Sequence, residues 1–176
     1  MPLTFTLDPD PTPGLLAEVV ALWTGVSNAG GAVGFVPPVT EDRVRVTAEK
    51  QFAGVGPGRP DRLLIARETA TGRLAGLLFF ESQRFDLQEH WRMLKRVMVH
   101  PSMQGTGYGA RLLAEAERIA RGWGLDSLRL TVRGGTGLER FYKAGGYVEV
   151  GRVPRSIRVA PGDDRDEITM WLDLTV

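Results

Sequence analysis

One stretch near the middle of the chain limits the possible folds more than any other part of the sequence. The segment Trp91–Val99 is typical of a strand, and Pro101 ends it because proline cannot donate to a strand ladder. Three glycines follow at positions 105, 107 and 109, and apolar side chains then recur at helical spacing for several turns. A helix that opens from such a turn has unpaired backbone N–H groups at its positive end, where a phosphate can bind. The sequence therefore predicts an α/β structure with a phosphate site at this turn.

Two familiar phosphate-binding patterns fit this turn poorly. The loop of nucleotide hydrolases needs Lys and Ser or Thr after its last glycine, and this chain has Ala110-Arg111 there. The dinucleotide pattern G-x-G-x-x-G/A is satisfied by Gly105, Gly107 and Ala110. However, that pattern expects the glycines directly after the strand, and residues 101–104 intervene.

A third pattern, Gln-x-x-Gly-x-Gly, fits through Gln104, Gly107 and Gly109 and follows a Val-x-Val-x-Pro strand end. This combination resembles the coenzyme A loop of the GNAT N-acetyltransferase superfamily. The resemblance implies acetyl-CoA as co-substrate, with no metal. In that superfamily the strand before the loop bonds the pantetheine arm and the loop wraps the pyrophosphate. The matching residues here are Val97, Met98, Val99, Gln104, Gly105, Thr106, Gly107, Tyr108, Gly109 and Ala110.

An aromatic motif farther along carries the second part of the resemblance. The sequence Phe141-Tyr142-Lys143-Ala144-Gly145-Gly146-Tyr147 is similar to the Phe-Tyr-x-x-x-Gly-Phe/Tyr motif of the same superfamily. There the first tyrosine lies beside the coenzyme sulfur, so the resemblance implies that Tyr142 is the general acid that protonates the leaving thiolate. The alternative is that Tyr142 is an ordinary core aromatic residue.

Hydrophobic periodicity and turn residues predict the element order β-α-α-β-β-β-α-β-α-β-β. The end of the chain is interpreted as a strand at 147–153, a polar loop at 154–167 and a final strand at 168–174. This order matches the GNAT fold, a mixed, mostly antiparallel sheet of about seven strands with helices on both faces. Because no repeat or linker divides it, residues 1–176 are expected to form one domain.

Two loops resemble those of the tabtoxin-resistance type within that superfamily. They are Gly30-Gly31-Ala32-Val33-Gly34-Phe35 and Val153-Pro154-Arg155. The resemblance implies a small-molecule amine as acceptor, with Phe35 and Arg155 at its binding site. This chain departs from that type in having no carboxylate in residues 92–96 and Thr131 in place of an aspartate.

The sequence therefore does not identify the base that accepts the amine's proton. Glu81, at the end of a predicted strand beside the coenzyme strand, is the candidate base, and its alternative role is that of an exposed charge. We expect the amine to attack acetyl-CoA directly, without an acyl-enzyme, since the chain has no cysteine and no Ser-His-Asp arrangement.

Composition excludes several other classes of protein. Lys and Arg number 22 against 21 Asp and Glu, so net charge does not indicate nucleic acid or membrane as partner. The absence of cysteine and the presence of only two histidines argue against a metal site. We expect a cytoplasmic monomer or homodimer. A non-catalytic coenzyme A-binding module, a protein N-acetyltransferase and a nicotinamide-binding domain stay open as alternatives.

Overall fold

A seven-stranded sheet forms the centre of the computed structural model, which describes residues 2–176. Its strands are β1 (Leu3–Leu7), β2 (Arg62–Glu68), β3 (Leu74–Glu81), β4 (Trp91–Val99), β5 (Ser127–Arg133), β6 (Val148–Ala160) and β7 (Asp163–Asp173). They lie in the order β1-β2-β3-β4-β5-β7-β6. The β4–β5 pair is parallel and the other neighbours are antiparallel. The predicted mixed, mostly antiparallel sheet is confirmed.

Helices cover both faces of the sheet, as predicted. They are α1 (Pro13–Asn28), α2 (Glu41–Phe52), α3 (Tyr108–Gly122) and α4 (Leu138–Ala144). Successive side chains of a strand point to opposite faces. In β3, Leu77 and Phe79 accordingly pack with α1 and α2, whereas Leu78 and Phe80 pack with α3 and α4. The coenzyme-type loop that precedes α3 therefore lies on the face opposite to α1.

The sheet splits between β4 and β5. These two strands pair only at Trp91↔Ser127, Arg92↔Leu128 and Met93↔Arg129, and then they diverge. The divergence accompanies an irregularity in β4, where the register with β3 shifts between Leu77 and Phe79 and Arg96 has a φ of 53°. The edge of β4 that faces β5 therefore has no strand partner beyond residue 93.

The prediction of a polar loop at 154–167 is wrong. Strand β6 runs to Ala160 and β7 begins at Asp163, so a long hairpin occupies this region. Pro161 and Gly162, the latter at φ 81°, make the turn, an arrangement typical of a type II turn. The hairpin appears polar because β6 is exposed, and its strands are tied by ion pairs such as Arg158–Asp164, at 2.6 Å. Strand periodicity gives no signal where neither face is buried.

Candidate active site

The split between β4 and β5 opens into a cavity of about 590 Å³. Its walls are residues 94–99 of β4 and 130–133 of β5. The glycine-rich loop and the start of α4 close it on one face, and residues 31–33 of the α1–α2 connection close it on the other. We call this cavity the cleft. It passes through the sheet and can receive ligands from both faces.

The glycine-rich loop presents a row of free amides at one end of the cleft. Gly105 and Gly107 have φ values of 75° and 84°, and a Cβ atom added to either would meet nothing within 4 Å. The amides of residues 105–110 have no acceptor among residues 2–176, and the first α3 bond runs from Arg111 N to Gly107 O. Successive unpaired N–H groups at a helix start form an anion site. The loop can therefore bind a phosphate through its backbone.

The side chains of this loop are engaged within the protein. Gln104 Nε2 donates to Val99 O at 3.1 Å, and Thr106 Oγ1 donates to Met103 O at 2.5 Å. The Tyr108 side chain is buried, with its hydroxyl 3.5 Å from Glu68 Oε1. Any contribution of Thr106 and Tyr108 to coenzyme binding would consequently come from the backbone. Neither residue lines the cleft.

A close approach connects the loop to α4. A Cβ atom on Gly109 would lie only 3.1 Å from Phe141 Cζ, so α3 and α4 meet at a site that holds no larger residue without a shift. Phe141 packs edge-on against Tyr142, with ring centroids 5.0 Å apart. The phosphate end of the cleft and the predicted general acid are thus in contact through one aromatic ring.

Tyr142 lines the cleft, and its ring packs edge-on against Tyr147 at 5.7 Å. Its side chain is buried, and among residues 2–176 its hydroxyl has no hydrogen-bond partner. Burial raises the pKa of Tyr142 well above its usual value of 10. The hydroxyl therefore keeps its proton at neutral pH and is able to donate it.

The three remaining candidates do not line the cleft. Glu81 ends β3 opposite Met93 and is half-buried. Phe35 packs against the Trp23 ring at 5.7 Å. Arg155 lies exposed in β6 and donates its backbone N–H to Asp166 Oδ1. The structure thus groups the coenzyme loop and Tyr142 in one cavity and leaves these three outside its lining.

Two arginines line the cleft, Arg96 and Arg133, and sequence reasoning gave no role to Arg96. Arg133 Nη2 donates to Gly30 O at 2.8 Å, which joins the end of β5 to the connection after α1. No local sequence pattern distinguishes Arg96 from Arg92 and Lys95, the other cations of β4.

Within residues 2–176 no three His, Cys, Asp or Glu side chains come together in a way that would hold a metal ion. No helix in that range is both long enough and apolar enough to span a membrane.

Comparison with known families gives one match that covers most of the chain. Residues 34–147 match the acetyltransferase (GNAT) family. The matched range includes β4, the glycine-rich loop, α3, β5 and Tyr142. No curated protein matches the chain.

Several solved structures share the fold. One, assigned as a phosphinothricin N-acetyltransferase, has a TM-score of 0.83 and 22% identity, over 99% of this chain and 100% of the other. The ribosomal-protein-S18-alanine N-acetyltransferase from Escherichia coli has a TM-score of 0.71 and 17% identity, over 98% and 96%. The protein yncA from Salmonella typhimurium, assigned as an acetyltransferase and solved with its cofactor acetyl-CoA, has a TM-score of 0.74 and 19% identity, over 100% and 96%.

Proposed function

The chain belongs to the acetyltransferase (GNAT) family, whose enzymes use acetyl-CoA, and we propose that it transfers the acetyl group of acetyl-CoA to a primary amine of a small molecule. One observation carries this proposal: a row of free amides, an unpaired strand edge and a protonated tyrosine hydroxyl border the same cleft. The amides of residues 105–110 suit a pyrophosphate. The free edge of β4 suits an extended arm with amide groups, which would add to the sheet as a strand does.

The cleft supports transfer by direct attack. The amine nitrogen bonds to the thioester carbonyl carbon, and the bond from that carbon to sulfur breaks. Tyr142 donates its proton to the departing sulfur and regains one from solvent. An alkylammonium has a pKa of about 10, so it first loses one proton to water and attacks as the neutral amine. The nitrogen loses a second proton to solvent as the amide forms, which balances the proton that Tyr142 regains. No acyl-enzyme is needed.

The role of Glu81 as the base remains a prediction. Its carboxylate lies at the end of β3, outside the cleft lining. A proton from the amine would reach it through water. Glu81→Gln is therefore expected to lower turnover and to leave the affinity for acetyl-CoA unchanged.

A small acceptor is supported by the way the α1–α2 connection is held over the cleft. Trp23 Nε1 donates to Val33 O at 2.8 Å, and Asn28 exchanges two hydrogen bonds with the backbone of Val39. Arg133 ties the same connection to β5. These bonds fix the segment over the α1 side of the cleft, where the acceptor would enter. A covered entrance favours a small molecule over a polypeptide chain.

The test combines binding and turnover. Calorimetry with acetyl-CoA and, separately, NADPH examines the loop, and we expect binding of acetyl-CoA alone. A panel of amines with a thiol-release readout then examines transfer. Binding without thiol release for any amine would support a non-catalytic coenzyme A-binding module instead.

A further inference from the structure

An arginine side chain in the wall of the cleft makes no hydrogen bond within the described residues. Arg96 lies in the irregular part of β4, at a φ of 53° that costs a non-glycine residue about 1–2 kcal/mol. Its guanidinium lies over the Trp23 ring, 5.0 Å from the centroid. A Cβ atom on Gly34 would lie 3.3 Å from Arg96 Cζ. The side chain is thus enclosed by α1 and by the connection after it.

The charge of Arg96 is incompletely balanced. Its Nε is inaccessible to solvent and has no partner, and no carboxylate among residues 2–176 lies within ion-pair distance of the guanidinium. Burial lowers the pKa of Arg96, and the charge of Glu81 opposes that effect. A guanidinium stays protonated in proteins, so it remains a cation with unused donors. An enclosed cation of this kind is costly unless an anion pairs with it.

Arg96 lies on the face of the sheet where the acceptor would bind, not on the face of the phosphate loop. The glycine-rich loop, α3 and Tyr142 are on one face of the sheet, whereas Trp23 and the connection that enclose Arg96 are on the other. Arg96 also precedes the end of β4 by three residues, roughly 10 Å along the strand from where the loop begins. A pyrophosphate bound at the loop is therefore on the wrong side of the sheet for this guanidinium.

We infer that Arg96 binds a carboxylate on the acceptor molecule, so that the acceptor is an amino acid whose amine is acetylated. The inference rests on the proposed acetyl transfer. The guanidinium fork matches a carboxylate with two parallel hydrogen bonds, which fixes orientation as well as charge. With the carboxylate held on the α1 side, the amine of the same molecule lies in the cleft between β4 and β5.

A carboxylate-binding Arg96 favours free amino acids over peptides and proteins as acceptors. The amino terminus of a polypeptide has an amide where a free α-amino acid has its carboxylate. Such an amide leaves the guanidinium unpaired and gains no charge-assisted bond. We therefore expect discrimination between an amino acid and its own carboxamide, two molecules that differ at that group alone.

The experiment uses matched acceptors and matched variants. The acceptors are α-, β- and γ-amino acids, each paired with its carboxamide, and the readout is thiol release from acetyl-CoA. The variants are Arg96→Gln, which removes the charge, and Arg96→Lys, which keeps the charge and loses the fork. Arg129→Lys is the control, because Arg129 also has a buried Nε with no partner in the described part of the chain and stacks over Trp91 at 3.9 Å, yet lies outside the cleft lining.

The wild-type protein is expected to prefer at least one acid over its amide by tenfold or more in kcat/KM. Arg96→Gln should abolish that preference through the acceptor's KM, Arg96→Lys should reduce it, and Arg129→Lys should keep it. The acetyl-CoA dissociation constant should stay within about twofold in all three variants. Circular dichroism and thermal unfolding establish that each variant is folded, and direct titration of the acid into the coenzyme-bound protein measures acceptor binding without turnover.

Failure of the role of Arg96 and failure of acetyl transfer give different results. Thiol release with equal efficiency for acids and amides, or a preference that survives in folded Arg96→Gln, overturns the role of Arg96 and leaves acetyl transfer standing. Absence of acetyl-CoA binding together with absence of thiol release for every amine overturns the proposed function itself.

Discussion

Removing the hydroxyl of Tyr142 separates chemistry from packing. Tyr142→Phe keeps the ring and its edge-on contacts with Phe141 and Tyr147, at 5.0 and 5.7 Å. Because the hydroxyl has no hydrogen-bond partner in the described part of the chain, its loss should change the free energy of unfolding by no more than about 1 kcal/mol. The same reasoning predicts an unchanged affinity for acetyl-CoA.

The size of the effect on turnover follows from the proton balance. Burial raises the pKa of Tyr142 above 10, and a free thiol has a pKa of about 8.5. Full transfer of the proton to a free thiolate is then unfavourable by at least about 2 kcal/mol, so the hydroxyl contributes mainly as a hydrogen-bond donor while the bond to sulfur breaks. General acids contribute about 10² to 10⁴-fold, and we expect the lower end here, about 10²-fold in kcat.

The assay measures kcat at saturating acetyl-CoA with an acceptor from the amine panel, beside the coenzyme's dissociation constant from calorimetry. Tyr147→Phe is the matched control, because the Tyr147 hydroxyl is also buried and has no partner within residues 2–176, but does not line the cleft. It should retain wild-type turnover. Wild-type turnover in Tyr142→Phe, or equal losses in both variants, would refute the assignment of Tyr142 as the acid.

Three further predictions follow from the cleft and its surroundings. Gly107→Glu places a carboxylate in the open space before α3, and the dissociation constant for acetyl-CoA should rise at least tenfold, about 1.4 kcal/mol, in calorimetry; unchanged affinity in a folded variant contradicts the loop assignment. Gly109→Ala pushes Phe141 and should lower kcat severalfold with little change in coenzyme affinity, whereas weaker affinity at unchanged kcat would mean that the contact serves binding alone. Burial raises the pKa of both Tyr142 and Tyr147, so their contribution to stability is complete below pH 10 and is lost as pH rises further, by about 1.4 kcal/mol per pH unit for each. Denaturant titrations of wild type and Tyr147→Phe between pH 9 and 11 measure this, and an identical pH dependence in the two proteins would count against it.

The strand, glycine turn and helix around residues 97–110 could be predicted because each signal is local. Proline ends the strand, glycines with positive φ make the turn, and an apolar stripe defines α3. The likeness of the element order to the GNAT fold also predicted the mixed sheet, but not the order of its strands. The hairpin of β6 and β7 was missed because its exposed strands show no alternation, although Pro161 and Gly162 gave a turn signal between them.

The acceptor end of the site could not be predicted in the same way. Three charged residues lie within residues 92–96, and Lys95 and Arg96 line the cleft whereas Arg92 does not, in the part of β4 where the pairing with β3 is irregular. Arg133 acquires its role from a bond to Gly30, about one hundred residues earlier in the chain. Contacts of this kind depend on how the sheet is assembled, which local sequence patterns do not encode.

The divergence of β4 from β5 also has a mechanical consequence. The sheet has two parts, β1–β4 and β5–β7, which we call plates. Three residue pairs between β4 and β5 join the plates at one end, and we call these pairs the hinge. At the other end two contacts set the distance between the plates. Phe141 packs against Gly109 on one face, and Arg133 donates a hydrogen bond to Gly30 O on the other. Widening or narrowing the gap between the plates requires no ladder hydrogen bond to break beyond the hinge. A molecule bonded to both plates acts as a clamp, so the protein should be stiffest while its substrates are bound.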